Sequence, residues 1–354
     1  MKFHQEESLL RRMLHTQILM RKYQIQIIFI CSLFFSLKSN AQSQSELEQI
    51  GYLLNDALFY SEQYIIPATD AAVYLSSSSW VSSPKKKKLW DLNMSLHGNM
   101  FFVPNNDRSF RVQNSDFQFF ELENASSATV PTALGNDNQM YLIGDLGGEQ
   151  VRLKTPEGIN QEIVFYPYLQ VNVGLLYGTE LIARYSTKTK LKKGDYQVYG
   201  FGLNHNISQY FKSLEEKKIN ISTALIYSKE EITFDFLDID TAYGNLGINK
   251  LSGLVDTFHF QLSASKEFER LEVITSLIAN ISSFEYVVGG KKGEIEEAFP
   301  LQQTVNTLLQ RIAKDNVNFL GEISARYQIE KIFLQSSFAF GKFANLNIGV
   351  QYQF

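Results

Sequence analysis

Long apolar runs are scarce. A membrane helix needs about twenty consecutive apolar positions, and none follows the N-terminal forty residues, which excludes a helical bundle in a bilayer. Cysteine occurs once, at Cys31, which excludes an internal disulfide or a thiolate metal cluster. The five histidines show neither H-x-x-x-H nor H-x-H spacing, so no metal site is expected. Gly-rich phosphate loops are absent as well, because Gly200-Phe201-Gly202 falls inside an alternating strand. Charge of one sign is also lacking: 33 Lys+Arg against 37 Asp+Glu gives no footprint for nucleic acid. No cofactor is implied. Aromatic residues are plentiful instead, with 27 Phe and 18 Tyr.

The one apolar block, residues 25–37, follows Arg21-Lys22 and precedes Ser39-Asn40-Ala41. This is the order of a secretory signal peptide, with cleavage expected after Ala41. Residues 1–19 read as an upstream start-site extension, with Met20 as the true start; an uncleaved N-terminal anchor is the alternative. Cys31 would leave with the signal. Phe29-Ile30 are not the small residues that precede a lipoprotein cysteine.

The last ten residues carry the clearest pattern. Leu346, Ile348, Val350, Tyr352 and Phe354 share one face, and Asn345, Asn347, Gly349, Gln351 and Gln353 the other. About ten alternating residues suffice for a tilted strand to cross a bilayer. Similar alternation recurs from residue 90 onward, with a polar face turned to a lumen. The expected fold is therefore all-β, a transmembrane antiparallel β-barrel of about twelve strands, or about fourteen with an extra hairpin near Ile232. Residues 109–122 are counted as its second strand and 138–155 as its third if that stretch is a single strand; a small extra hairpin of Met140 to Ile143 and Gln150 to Lys154 is the alternative. Helical spacing at Leu47, Ile50, Leu54, Ala57 and Leu58 predicts a helix over 45–66 that ends at Pro67. It would plug the lumen or lie on the rim. The expected organisation is a signal at 1–41, a helical plug segment at 42–88 and the barrel at 89–354. Lys85 to Lys88 reads as a solvated run, with a phosphate patch at the rim as the alternative. Short connections at 178–179, 213–218, 267–270 and 329–331 fall on one side, and the longer 188–195, 229–253 and 287–316 on the other. That parity sets the short turns in the periplasm and the long loops outside.

The succession Tyr64-Ile65-Ile66-Pro67-Ala68-Thr69-Asp70, Trp80, Phe102-Val103-Pro104, Ser109-Phe110-Arg111-Val112, Thr132-Ala133-Leu134-Gly135 and residues 199–207 resembles an uncharacterised outer-membrane barrel family of Bacteroidota. The resemblance implies an outer-membrane location in a Gram-negative bacterium and assigns no activity. A looser similarity, helix followed by barrel, is to the long-chain fatty-acid transporter family. Phe354, with Tyr352, is similar to the terminal signal read by the barrel-insertion machinery.

Candidate lumen or ligand residues are Glu180 with Arg184, Glu322 with Arg326, and the strand histidines His97 and His259. The two charged pairs read as an ion-pair lattice or as a selective constriction. Ser263 and Ser265 near His259 offer a weak hydrolase reading, and the chain is read as no enzyme. Expected partners are outer-membrane lipid, the insertion machinery and a small hydrophobic or amphipathic ligand. The alternative function is a non-transporting structural or interaction barrel acting through its loops.

Overall fold

The computed structural model describes residues 43–237, 240–241, 244–245, 247–291 and 300–354. Contacts divide the chain into two units. In the smaller one, residues up to 51 with 146–149, the Gly147 amide donates to Gln49 Oε1 at 3.0 Å. Everything below concerns the larger unit, residues 52–145 and 150–354.

Alternation with a two-residue period can satisfy lipid and water at once only if the sheet closes on itself. Ten antiparallel strands do so: β1 (Leu92–Phe102), β2 (Ile163–Gly174), β3 (Thr179–Tyr185), β4 (Gly194–Asn206), β5 (Ile219–Asp235), β6 (Lys250–Phe268), β7 (Leu271–Gly289), β8 (Lys314–Ile329), β9 (Ile332–Phe340) and β10 (Ala344–Gln353). Closure is the β1–β10 pairing, from Asn93 opposite Gln353 to Phe102 opposite Ala344. An eleventh strand, Thr189–Leu191, adds to the β4 edge.

The count is ten and not about twelve. The two stretches expected as second and third strands lie in the 103–162 connection and pair locally. Ser109–Gln113 pairs with Ser127–Pro131, and Glu121–Leu122 joins the hairpin of Tyr141–Leu146 and Glu149–Lys154. Their periodicity is that of any strand; only the ladder partner separates a wall strand from a loop hairpin. The expected hairpin near Ile232 is likewise absent, because β5 runs straight through to Asp235. All nine wall strands after Ile163 sit where alternation placed them.

The four connections at one end each contain a residue in the left-handed region: Tyr177 (φ 59°), Lys218 (54°), Glu269 (54°) and Glu330 (53°). The opposite end carries the connections 103–162, 186–193, 236–249 and 290–313 and the three-residue turn 341–343, and from 290–313 the helix α2 (Leu301–Leu309) is described. With an even strand count, β1 begins and β10 ends at the short-turn end.

The outward face is apolar. Leu225, Phe258, Leu277 and Phe319 are 62–70 % exposed, an arrangement that water would penalise at about 25 cal/mol per Å² and lipid would not. On β5 to β7 the continuous belt stops at Tyr227, Phe258 and Ile281; beyond it most outward residues are polar, as at Lys229, Glu231, Asp256 and Ser283, with Leu254 and Val287 as exceptions. The wall therefore continues past the apolar belt at the long-loop end.

The helix α1 (Ser43–Ser77) is longer than its sequence period suggested and runs through Pro67. A mid-helix proline costs about 3 kcal/mol and leaves one carbonyl without its partner. Here that carbonyl belongs to the exposed Gln63, where solvent can serve it, while burial of Ile65, Ala68, Ala71 and Ala72 outweighs the loss.

Candidate functional site

Inside the barrel, the wall and the segment threaded through it change polarity together. At the long-loop end the interior is apolar: Tyr64, Ile65, Ala68 and Ala72 of the helix pack among Phe234, Leu251, Val255, Phe284, Tyr286 and Val288. Tyr64 lies edge-on to Phe234 at 6.1 Å and donates to the Glu157 carbonyl at 2.7 Å. Close approach is needed here. A Cβ on Gly253 would sit 2.2 Å from Thr69 Cγ2, so only glycine lets the helix seat on β6.

Where the helix ends, Ser76-Ser77-Ser78-Ser79-Trp80-Val81-Ser82-Ser83 enters a polar zone and is met by the wall group by group. Asn280 donates to Ser77 Oγ (2.8 Å), Ser78 to Asn345 Oδ1 (2.9 Å), the Ser79 amide to Glu322 Oε2 (2.7 Å), and Ser83 to Glu272 Oε1 (2.8 Å). Tyr166 and Asn99 both donate to the Leu75 carbonyl, and Gln170 to that of Trp80. Buried polar groups are stable only when paired, and an eight-residue run rich in serine supplies the matching donors and acceptors. At the short-turn mouth Lys85 pairs with Glu267 at 2.8 Å and Asn206 donates to the Pro84 carbonyl at 2.7 Å. The run 85–88 is thus not uniformly solvated: Lys85 is paired, Lys87 is buried, and Lys86 and Lys88 are exposed.

All six candidate lumen residues are 3 % exposed or less. The four-apart charged pairs do not form, because two side chains four positions apart on a strand are about 13 Å apart at 3.3 Å per residue. Arg184 instead caps the helix end. It donates to the carbonyls of Ser76 (3.1 Å) and Ser78 (3.0 Å) and twice to Gln170 Oε1 (3.1 and 3.0 Å). Its guanidinium lies 3.9 Å from the Trp80 ring centre and 4.1 Å from that of Tyr168. Helix ends leave carbonyls unmet and carry negative partial charge, so a cation there serves both needs. Glu180 accepts from Asn204 at 3.4 Å. Glu322 accepts from the Ser79 amide, and Arg326 pairs across the strands with Glu272 at 3.4 Å and donates to Gln351 at 3.1 Å.

His97 and His259 occupy matching surroundings. His259 contacts Ser228 Oγ through Nε2 and Asn280 Oδ1 through Nδ1, both at 2.7 Å. His97 contacts Ser95 Oγ through Nε2 (3.0 Å) and Asn347 Oδ1 through Nδ1 (2.8 Å), and stacks on Tyr168. The serine beside His259 is therefore Ser228 and not Ser263 or Ser265, which bond to Ser276 and Glu272. Ser228 stands diagonally across the β5–β6 ladder, a neighbour that only the register reveals. The connectivity is that of nucleophile, base and orienting amide. Yet each hydroxyl has a rival acceptor, Glu230 for Ser228 and the Gln170 carbonyl for Ser95. Both serines are buried, and the motif occurs twice, as expected of a device that satisfies a buried imidazole.

Among the described residues no group of three or more His, Cys, Asp or Glu side chains could hold a metal ion. A narrow apolar cavity of about 10 Å³ lies between Ala68, Ala71 and Leu75 of the helix and Val164, Leu191 and Tyr196 of the wall. It sits behind a seam. β2 pairs with β3 only from Leu169 to Gly174, so among the described residues 163–168 have no ladder partner on that side.

A family model, described as a family of unknown function (DUF6588), matches residues 20–354. The chain belongs to the DUF6588 family. Among curated proteins none matches the sequence. Solved barrels similar to this DUF6588 chain include the Ail attachment invasion locus protein of Yersinia pestis, at 5 % identity over 75 % of this chain and 100 % of that one, with a TM-score of 0.27. The outer-membrane protease OmpT of Escherichia coli gives 8 % identity over 77 % and 100 %, TM-score 0.27. The toluene transporter TodX of Pseudomonas putida gives 8 % over 80 % and 97 %, TM-score 0.22. Likenesses this distant carry no statement about activity or location.

Proposed function

We propose that this DUF6588 protein is a closed, non-conducting barrel of a Gram-negative outer membrane that acts through the loops and small sheets at its long-loop end. The observation that carries the reading is the filled bore: residues 64–85 meet the wall along its length, apolar against apolar and polar against polar. Ten strands enclose a lumen only a little wider than the eight-stranded barrels that side chains alone can fill, so one threaded segment suffices to occlude it. The apolar outward belt supports placement in lipid, and the parity of connections supports long loops outside. Arg184 and Glu322 then bond to the plug itself, Glu180, Arg326, His97 and His259 bond to wall side chains around it, and on this reading the six do not form a solute filter. The outward-facing Tyr352 and Phe354, rings 4.9 Å apart, are the groups offered to the insertion machinery. No enzymatic step is assigned, on the ground that both Ser–His–Asn sets are sealed.

The test is electrical. Intact protein reconstituted in a planar bilayer should show no steady conductance, and vesicles carrying it should not swell in small sugars. Steady single-channel currents from the intact chain would sink the closed-barrel reading.

A further inference from the structure

The threaded segment has a direction. Asp56 accepts the backbone amides of Gln118, Phe119 and Phe120 (2.7–2.9 Å), and Tyr60 packs edge-on against Phe110 at 5.3 Å. All four partners belong to the 103–162 connection at the long-loop end. Farther along, Thr69 meets Tyr286 near the upper end of β7, Ser77 meets Asn280 midway along that strand, and Ser83 meets Glu272 at its lower end. Lys85 reaches Glu267 beside the 269–270 turn, and the Trp90 amide donates to the Gly174 carbonyl as β1 begins. The chain passes once through the whole bore, from the long-loop mouth to the short-turn mouth, before it enters the wall.

We propose that the chain enters this barrel from the cell's exterior: residues 52–63 stand at the outer mouth and residues 64–85 descend through the bore to the periplasmic side. This rests on the orientation adopted above and adds the path of the N-terminal segment. A periplasmic plug would enter a barrel from the short-turn mouth and would leave its upstream end in the periplasm; here the helix polarity is the opposite. Sealed packing also excludes late threading. Asn345, Glu322, Glu272 and Asn280 bond to the segment from three different strands, and the ten-residue β1–β10 seam closes next to it. The segment is in place when the seam forms.

The test uses the full chain with Cys31→Ser and single cysteines at Asn55, at Lys190 in the outer 186–193 connection and at Lys331 in a short turn, all exposed positions. Whole cells are treated with a membrane-impermeant maleimide before and after permeabilisation, and folding is checked by the gel mobility of unheated samples. Gln63→Cys stands in if Asn55→Cys fails to fold. The expected result is labelling of Asn55→Cys in intact cells to the extent of Lys190→Cys, with Lys331→Cys labelled only after permeabilisation. Asn55→Cys behaving like Lys331→Cys, while Lys190→Cys labels in intact cells, overturns the inverted path and leaves the orientation standing. Lys331→Cys labelling first and Lys190→Cys only after permeabilisation overturns the orientation and the proposal with it.

Discussion

Arg184 is the side chain whose loss should loosen the plug most directly. Truncation to alanine leaves two buried acceptors unmet, the Ser78 carbonyl and Gln170 Oε1, while the Ser76 carbonyl keeps the Trp80 indole as its donor. At about 1 kcal/mol for each orphaned acceptor, that is roughly 2 kcal/mol. Two aromatic faces also lose a cation, worth about 1 kcal/mol together once solvation is discounted. Removing a buried cation that forms no ion pair returns part of this, since its desolvation cost disappears as well. The expected net loss is about 1–3 kcal/mol. Urea unfolding in lipid vesicles, followed by the mobility difference between folded and unfolded barrel, reads it as a shift in midpoint at constant slope. Arg184→Lys should recover less than half, because one ammonium cannot bridge two carbonyls and an amide in a plane. In a bilayer, Arg184→Ala should show brief openings where the parent is silent. An unfolding midpoint within about 0.5 kcal/mol of the parent, with a silent trace, would refute the assignment of Arg184 as the cap of the helix end.

Asp56 accepts three backbone amides of the 103–162 connection, so Asp56→Ala should expose residues 114–122 to protease in otherwise folded protein, and a digestion pattern equal to the parent's would count against that anchor. The chain has two tryptophans, Trp80 fully buried in the bore and Trp90 72 % exposed at the short-turn rim. Trp90→Phe should therefore leave emission that neither acrylamide nor brominated lipid quenches, whereas Trp80→Phe should leave emission that brominated lipid near the headgroups quenches strongly. Phe354→Ala, which removes an exposed ring edge-on to Tyr352 but keeps the amide that donates to the Leu92 carbonyl, should lower the yield of assembled barrel several-fold without changing the unfolding midpoint of what does assemble; an unchanged yield would remove the ring as an insertion signal.

How much of the fold the sequence alone carries follows from the physics of each feature. Alternation is a property of single strands, so β2 to β10 and the parity of their connections were legible from residues such as Phe258, Phe260 and Leu262 against His259, Gln261 and Ser263. Pairing is a property of two strands. Ser109–Gln113 alternates as β1 does, and nothing inside it says that its partner is Ser127–Pro131 and not β1. The same blindness hid Ser228 beside His259 and Glu272 beside Arg326, both of them cross-strand neighbours. Pro67 misled for a different reason: its local penalty is real, and burial of the surrounding helix in a closed bore outweighs it.

One signal in the sequence had more to say than local rules extract from it. Residues 64–75 are almost wholly apolar and residues 76–83 almost wholly serine, a switch with no meaning for a helix followed by a linker in water. Against the wall it becomes a register mark. The apolar stretch fits only where the inward faces of β5 to β7 carry Phe234, Leu251, Val255 and Tyr286, and the serine stretch only where they carry Glu230, His259, Asn280 and Glu272. Sliding the segment by one tier would bury serines against phenylalanine and set leucine and tyrosine on unpaired carboxylates, at about 1–3 kcal/mol for each group left unmet. The inside of the barrel is thus apolar beyond the outward apolar belt and polar behind that belt, the reverse of the outward face. The matching two-part plug holds a single depth and a single direction.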